Sequence, residues 1–169
     1  MSAYSWPVAF GRATSFRRRA GVVRQVLAVP NERRLIVRMV FWRMLVTTLK
    51  HAVPIRRVVA LAGNAPRGSA PGLPPQERIV ELAALVCRPR LLRTSDNCLD
   101  RTLVAYRYLL AAGASPSVVI GLGRAEDVVH GHAWLMLDGR ALGEGHETLA
   151  DFTELVRFAA DGSIERSES

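Results

Sequence analysis

The sequence predicts an α+β fold: N-terminal helices packed around a further helix, which leans on a small antiparallel sheet. Three observations predict it. Apolar residues recur at helical spacing over Leu35 to Leu49 and again over Cys98 to Leu110. Two apolar runs, Ser117 to Gly123 and Val128 to Leu137, read as buried strands. Asp138-Gly139 then supplies a strong hairpin turn, and Arg140 to Glu144 returns as a third strand.

The elements follow in chain order. Met1 to about Pro30 is weakly patterned. Asn31 or Glu32 starts a helix whose broad apolar stripe is Leu35, Val37, Met39, Val40, Trp42, Leu45, Val46 and Leu49. Arg34, Arg38 and Arg43 lie among them and read as a solvated face with snorkelling stems. Pro54 breaks this helix, and Ile55 to Leu61 forms another short one. Gly63 to Pro75 is rich in Gly, Pro, Ser and Ala and reads as a linker. Gln76 to Val86 is a helix, stopped before Pro89. Thr94, Ser95, Asp96 and Asn97 are N-cap candidates for the helix that follows, with Gly113 as its C′ residue. Thr148 to Phe158 suits either a helix or an edge strand, and Asp161-Gly162-Ser163 with the tail is expected to fray. The organisation is a basic helical region over 1–75, a catalytic core over 76–160 and a polar tail over 161–169.

Composition excludes several classes. The chain has 169 residues, and 49% are hydrophobic, so it is not a disordered chain. Two cysteines, Cys87 and Cys98, are too few for a disulfide scaffold. No secretory signal is readable and no segment has the length of a membrane span, so a reducing cytoplasm is expected. Charge is uneven. Residues 1 to 67 hold 13 Arg and Lys against one acid, Glu32, a net +12 that leaves the rest at −4 within the total of +8. Such a surface suits an acidic partner. Nucleic acid is not expected, because no nucleic-acid motif is present and aromatics do not alternate with the arginines.

The chemistry centres on Cys98 and His132. A cysteine in the first helical turn meets free N–H groups and the positive end of the helix dipole. Both favour the thiolate, which is the nucleophilic form. His132 shares one strand face with Trp134 and Met136, because strand side chains alternate. A cysteine on a helix followed by a histidine on a strand is the layout of papain-like and transglutaminase-like hydrolases. Plainer readings exist beside this one. Cys98 reads equally as a buried small apolar residue, and Cys87 is expected to be one. His130, His132 and His146 have spacing compatible with zinc, but no ligand cluster supports a metal, and no cofactor is expected.

Longer segments carry a resemblance. Cys98-Leu99-Asp100-Arg101, Leu109-Leu110-Ala111-Ala112-Gly113, Val119-Ile120-Gly121-Leu122-Gly123 and Gly131-His132-Ala133-Trp134 through Asp138-Gly139-Arg140 resemble the lasso-peptide leader peptidases. These are small cysteine proteases with a transglutaminase-like core. The resemblance covers roughly residues 78 to 158. It implies a leader-bearing precursor peptide as substrate, a separate leader-peptide recognition protein, and an ATP-dependent lasso cyclase acting afterwards. It also implies a catalytic triad of Cys98, His132 and an acid on the strand after the hairpin. The family residue there is aspartate, and Glu144 stands at the matching position.

The register decides whether Glu144 can serve. A two-residue loop at Asp138-Gly139 sets Glu144 opposite Ala133, facing away from His132. A three-residue loop, with Gly139 left-handed and a bulge, sets it across from Trp134 on the His132 face, and His146 opposite His132. The bulged hairpin is the expectation, with Asp138 as the alternative acid. The backbone N–H of Cys98 is the natural oxyanion donor, and Asn97 is either a second donor or an N-cap. Two rival functions stay open: acyl transfer to an amine by the same machinery, and a non-catalytic basic binding protein.

Overall fold

The computed structural model describes residues 30–64, 72–88, 98–125, 128–144 and 149–165. Among the described residues four helices run in chain order: α1 (Pro30–Ala52), α2 (Ile55–Gly63), α3 (Gln76–Val86) and α4 (Cys98–Ala111). Five strands follow: β1 (Ser117–Ala125), β2 (Val128–Leu137), β3 (Arg140–Leu142), β4 (Phe152–Phe158) and β5 (Ile164–Glu165). They form one antiparallel sheet in the order β3-β2-β1-β4-β5. The fold is therefore α+β, with the cysteine-bearing helix on a small antiparallel sheet, as the sequence predicts. No described helix is long and apolar enough to cross a membrane.

Helical spacing explains the helical layer. Leu35, Met39, Trp42 and Val46 fall on one face of α1 and are buried. Ile79, Leu82, Ala83 and Val86 do the same for α3. Leu103, Tyr106, Leu109 and Leu110 of α4 sit between these helices and the sheet residues Val118, Leu135 and Phe158, in a single core. α4 ends at Gly113, with φ +85. The N–H of Ala114 donates to the C=O of Leu109, and that of Gly113 to Leu110, both at 3.0 Å, a Schellman closure.

Two polar contacts tie α1 into this core. Arg43 is not on a solvated face as expected. It is 1% exposed, and its guanidinium donates to the C=O of Val86 at 2.6 Å, closing the C-terminal turn of α3. Asp100 in the first turn of α4 is also 1% exposed. It accepts from Lys50 Nζ at 2.8 Å and from Thr47 Oγ1 at 2.9 Å, both near the C-terminal end of α1. These bonds hold the start of α4, and Cys98 with it, against α1.

The hairpin corrects one expectation. Leu137 pairs with Arg140, Met136 with Ala141 and Leu135 with Leu142. The loop is two residues, not three. Asp138 and Gly139 have φ of 49° and 76°, the paired positive values of a type I′ turn, which matches the twist of the flanking strands without a bulge. β3 is also shorter than expected, because Gly143 at φ +72 ends the ladder after Leu142.

The C-terminal part corrects two more. Phe152–Phe158 is a strand, but not at the edge: it pairs with β1 on one side and β5 on the other. Residues 161 to 165 are not frayed. The N–H of Ala159 donates to the C=O of Ser163 at 2.8 Å, and Asp161 caps the turn by accepting from the Ser163 N–H at 2.8 Å.

Replacing one member of a buried ion pair strands the other. Lys50→Ala should therefore cost about 3 kcal/mol of stability, read as a lower midpoint in urea with an unchanged slope, and Lys50→Arg should recover part of it.

Candidate active site

β2 carries the site because of how the hairpin is registered. In a two-residue hairpin the residues flanking the turn form a hydrogen-bonded pair, so Leu137, Leu135 and Ala133 all turn their N–H and C=O toward the β3 side. β3 satisfies the first two and stops. Ala133 is left for α4. Its C=O accepts from Thr102 Oγ1 at 2.9 Å, and its N–H donates to the Cys98 sulfur. Helix and strand are joined main chain to side chain at this one residue, and the join brings the thiol to His132.

Glu144 reaches His132 by a route the sequence did not predict. Continued straight, the observed register would face it away. Gly143 instead turns the chain left-handed out of the ladder, against α3. A Cβ on Gly143 would stand 2.7 Å from Val80 Cγ1, so only glycine suits both the space and the angle. After this turn Glu144 Oε2 lies 3.3 Å from Nε2 of His132, without hydrogen-bond alignment, so the two meet as a charge pair. Its other oxygen, Oε1, accepts from the Arg101 guanidinium. Asp138, the alternative acid, occupies the turn, six residues along the chain from His132 and so about 20 Å away.

The charges reinforce one another. Burial pushes the Cys98 thiol up, but its hydrogen bond with His132 and the N–H groups of Ala133 and Leu99 outweigh this and lower its pKa. Contact with the Cys98 sulfur, and next with Glu144, raises His132 to about 9 against the opposing effect of burial. Glu144 is also pushed up by burial, yet His132 and Arg101 hold it below the usual carboxylate range. The resulting arrangement favours a thiolate and imidazolium pair, backed by a carboxylate whose charge His132 and Arg101 favour.

A ring cluster supports the imidazole. Phe152 of β4 lies 4.9 Å from His132 and 5.1 Å from His130, centroid to centroid, and Trp134 stacks 6.0 Å from His132. These rings come from strands on either side of β1, and they meet because β1 has no side chain between them. Gly121 pairs with His132, and Gly123 with His130 and with Phe152. A Cβ at Gly121 would lie 2.8 Å from the Trp134 ring and 2.7 Å from the C=O of Thr153; at Gly123 it would lie 3.0 Å from Phe152. Gly121 and Gly123 were read only as part of a buried strand. Their alternation on one face was the available signal that something bulky crosses there.

The structure thus brings Cys98, His132 and Glu144 together and leaves Asp138 apart. Arg101, Asp100, Thr102 and Phe152 are the residues to which sequence reasoning assigned no role. Asn97, His146 and the N-cap candidates Thr94 to Asp96 lie outside the described residues. No group of three metal-binding side chains occurs among the described residues. Cys87 is buried at the end of α3, 2% exposed.

The family profile described as the transglutaminase-like superfamily matches residues 35–157. No curated protein and no solved structure matches the chain.

The electrostatics predict a pH response. NMR titration of the His132 ring should show a midpoint near 9. Glu144→Gln removes a charge that favours the imidazolium, so the midpoint should fall toward the ordinary histidine value. Iodoacetamide should alkylate Cys98 below the pH range of an ordinary thiol, while buried Cys87 stays unmodified in the folded protein. An unshifted His132 would refute the charge pairing.

Proposed function

The chain belongs to the transglutaminase-like superfamily, and from that premise we propose that it is a cysteine peptidase that removes the leader peptide from a ribosomally made lasso-peptide precursor. The observation that carries the catalytic part is the contact of Cys98 with His132, with Glu144 on the other side of the ring. The substrate part rests on the resemblance of the Cys-Leu-Asp-Arg and Gly-His-Ala-Trp segments to the leader peptidases.

The chemistry follows from the geometry. With Nε2 turned to Glu144, Nδ1 is the nitrogen left for the thiol. The Cys98 thiolate attacks the scissile carbonyl, and the backbone N–H of Cys98 stabilises the oxyanion. The imidazolium gives its proton to the leaving amine, which departs and leaves a thioester. His132 then takes a proton from water, whose oxygen attacks the thioester and frees the new carboxylate. Glu144 stabilises the imidazolium and holds the ring, and Arg101 positions Glu144. If an amine reached the thioester before water, the same site would transamidate. The product mass separates the two outcomes.

In this reading the precursor comes with a separate leader-peptide recognition protein, and an ATP-dependent cyclase takes the released core. The test is reconstitution with a precursor encoded beside this chain. Cys98→Ala should abolish cleavage and keep the fold. Cys87→Ala should keep activity, with a stability loss of about 1 kcal/mol from a small cavity. Equal cleavage by wild type and Cys98→Ala would end the peptidase reading.

The supporting residues should grade in effect. Glu144→Ala should lower turnover strongly, though less than Cys98→Ala or His132→Ala, and Glu144→Asp should retain much of it. Arg101→Ala should weaken turnover through Glu144 and shift the His132 titration, whereas Asp138→Asn should change little. Adding the recognition protein should raise the cleavage rate by raising effective concentration. Salt should weaken that association if the +12 region contacts an acidic partner.

A further inference from the structure

The side of β2 that faces away from β1 changes occupant along its length. Every second residue, from Leu137 back through 135, 133, 131 and 129, turns its N–H and C=O that way. β3 takes the first two, and α4 takes Ala133. Among the described residues no strand pairs with Gly131 or Val129 on this side. Gly131 is exposed, and Val128 and Val129 are 65% and 62% exposed. The open stretch begins two residues, about 7 Å, from the residue that binds the Cys98 sulfur.

Nothing among the described residues requires a glycine at position 131. Gly131 is not among the residues at positive φ. Among the described residues a Cβ there would meet the Gly121 C=O and Leu122 Cδ2, both at 3.9 Å, which is ordinary contact. Gly121 and Gly123 differ, since packed rings exclude a Cβ at both. A strand glycine with room for a side chain fits a place where another backbone comes close.

We infer that this open edge binds the peptide substrate of Cys98 as an added strand. Gly131 and Val129 exchange main-chain hydrogen bonds with an extended segment, whose chain then runs on to the sulfur. The inference rests on the peptidase reading and names how that site holds its substrate. Affinity comes from main-chain bonds, and specificity from alternate side chains. Val129 and Leu122, 62% and 39% exposed, lie on the same sheet face as the Gly131 position. They form an apolar floor and favour an apolar substrate residue about two positions from the scissile bond.

The test uses the full chain with the precursor peptide encoded beside it and the leader-peptide recognition protein. Gly131→Pro removes the outward N–H, which the β1 ladder does not use. It should raise KM roughly tenfold, the worth of one or two hydrogen bonds. Gly131→Ala keeps the N–H but adds a methyl where the substrate backbone comes close, so it should raise KM less than the proline does. Alkylation of Cys98 and the His132 titration should be unchanged in both. Single N-methylation along the substrate backbone should impair cleavage by wild type at every second residue only, and this series decides the matter if Gly131→Pro does not fold. Wild-type KM in the proline variant, or methylation effects without alternation, would overturn the added strand and leave the peptidase intact. Failure to cleave that precursor would overturn both.

Discussion

The main chain of Ala133 is the joint on which this structure depends. In an uninterrupted hairpin its N–H and C=O would belong to the neighbouring strand. Here the neighbouring strand ends one hydrogen-bonded pair earlier, and the start of α4 takes its place. A buried backbone group without a partner is costly, so the exchange has to be complete. Thr102 satisfies the carbonyl, and the Cys98 sulfur satisfies the amide. The bond that completes the sheet edge therefore joins the His132 contact in lowering the pKa of the thiol. Structural and chemical requirements fall on the same atoms.

Around this joint the first turn of α4 divides its labour by helical geometry. Cys98, Asp100 and Arg101 are close in sequence but point in different directions. Cys98 faces β2. Asp100 faces α1 and is neutralised there by Lys50. Arg101 faces Glu144. The positively charged N-terminal region and the acidic remainder thus meet through a buried pair at the site itself. The chain of charges runs from Arg101 through Glu144 and His132 to Cys98, with sign alternating at each step. Each group stabilises the ionised form of its neighbour, and removing one weakens the next.

Legibility in the sequence followed the range of the physics. The helices α1 to α4 and the strands β1 and β2 were readable because apolar spacing and proline or glycine punctuation act over a few residues. Gly113 as the end of α4 was readable for the same reason. Arg43 was not: its spacing fits a solvated face, and only the nearby C-terminal carbonyl of α3 makes burial favourable. The position of β4 inside the sheet was also hidden, since its neighbour β5 is two residues long. Glu144 was chosen through a bulge that does not exist. The residue was brought to His132 by the left-handed turn at Gly143, where Val80, more than sixty residues earlier in the chain, leaves no room for a Cβ.

By itself the sequence determined the local elements, the cysteine at the head of a helix, the histidine on the strand that leads into the hairpin, and the place of the turn at Asp138-Gly139, though not its length. These are matters of dihedral preference and of apolar periods of two and about 3.6 residues. Only the tertiary structure decided which groups meet. It assigned the Ala133 amide to sulfur rather than to a strand, carried Phe152 across a glycine stripe to the imidazole, and turned Glu144 out of register toward His132. Each of these depends on where a distant element stops or leaves space, and no local pattern encodes that.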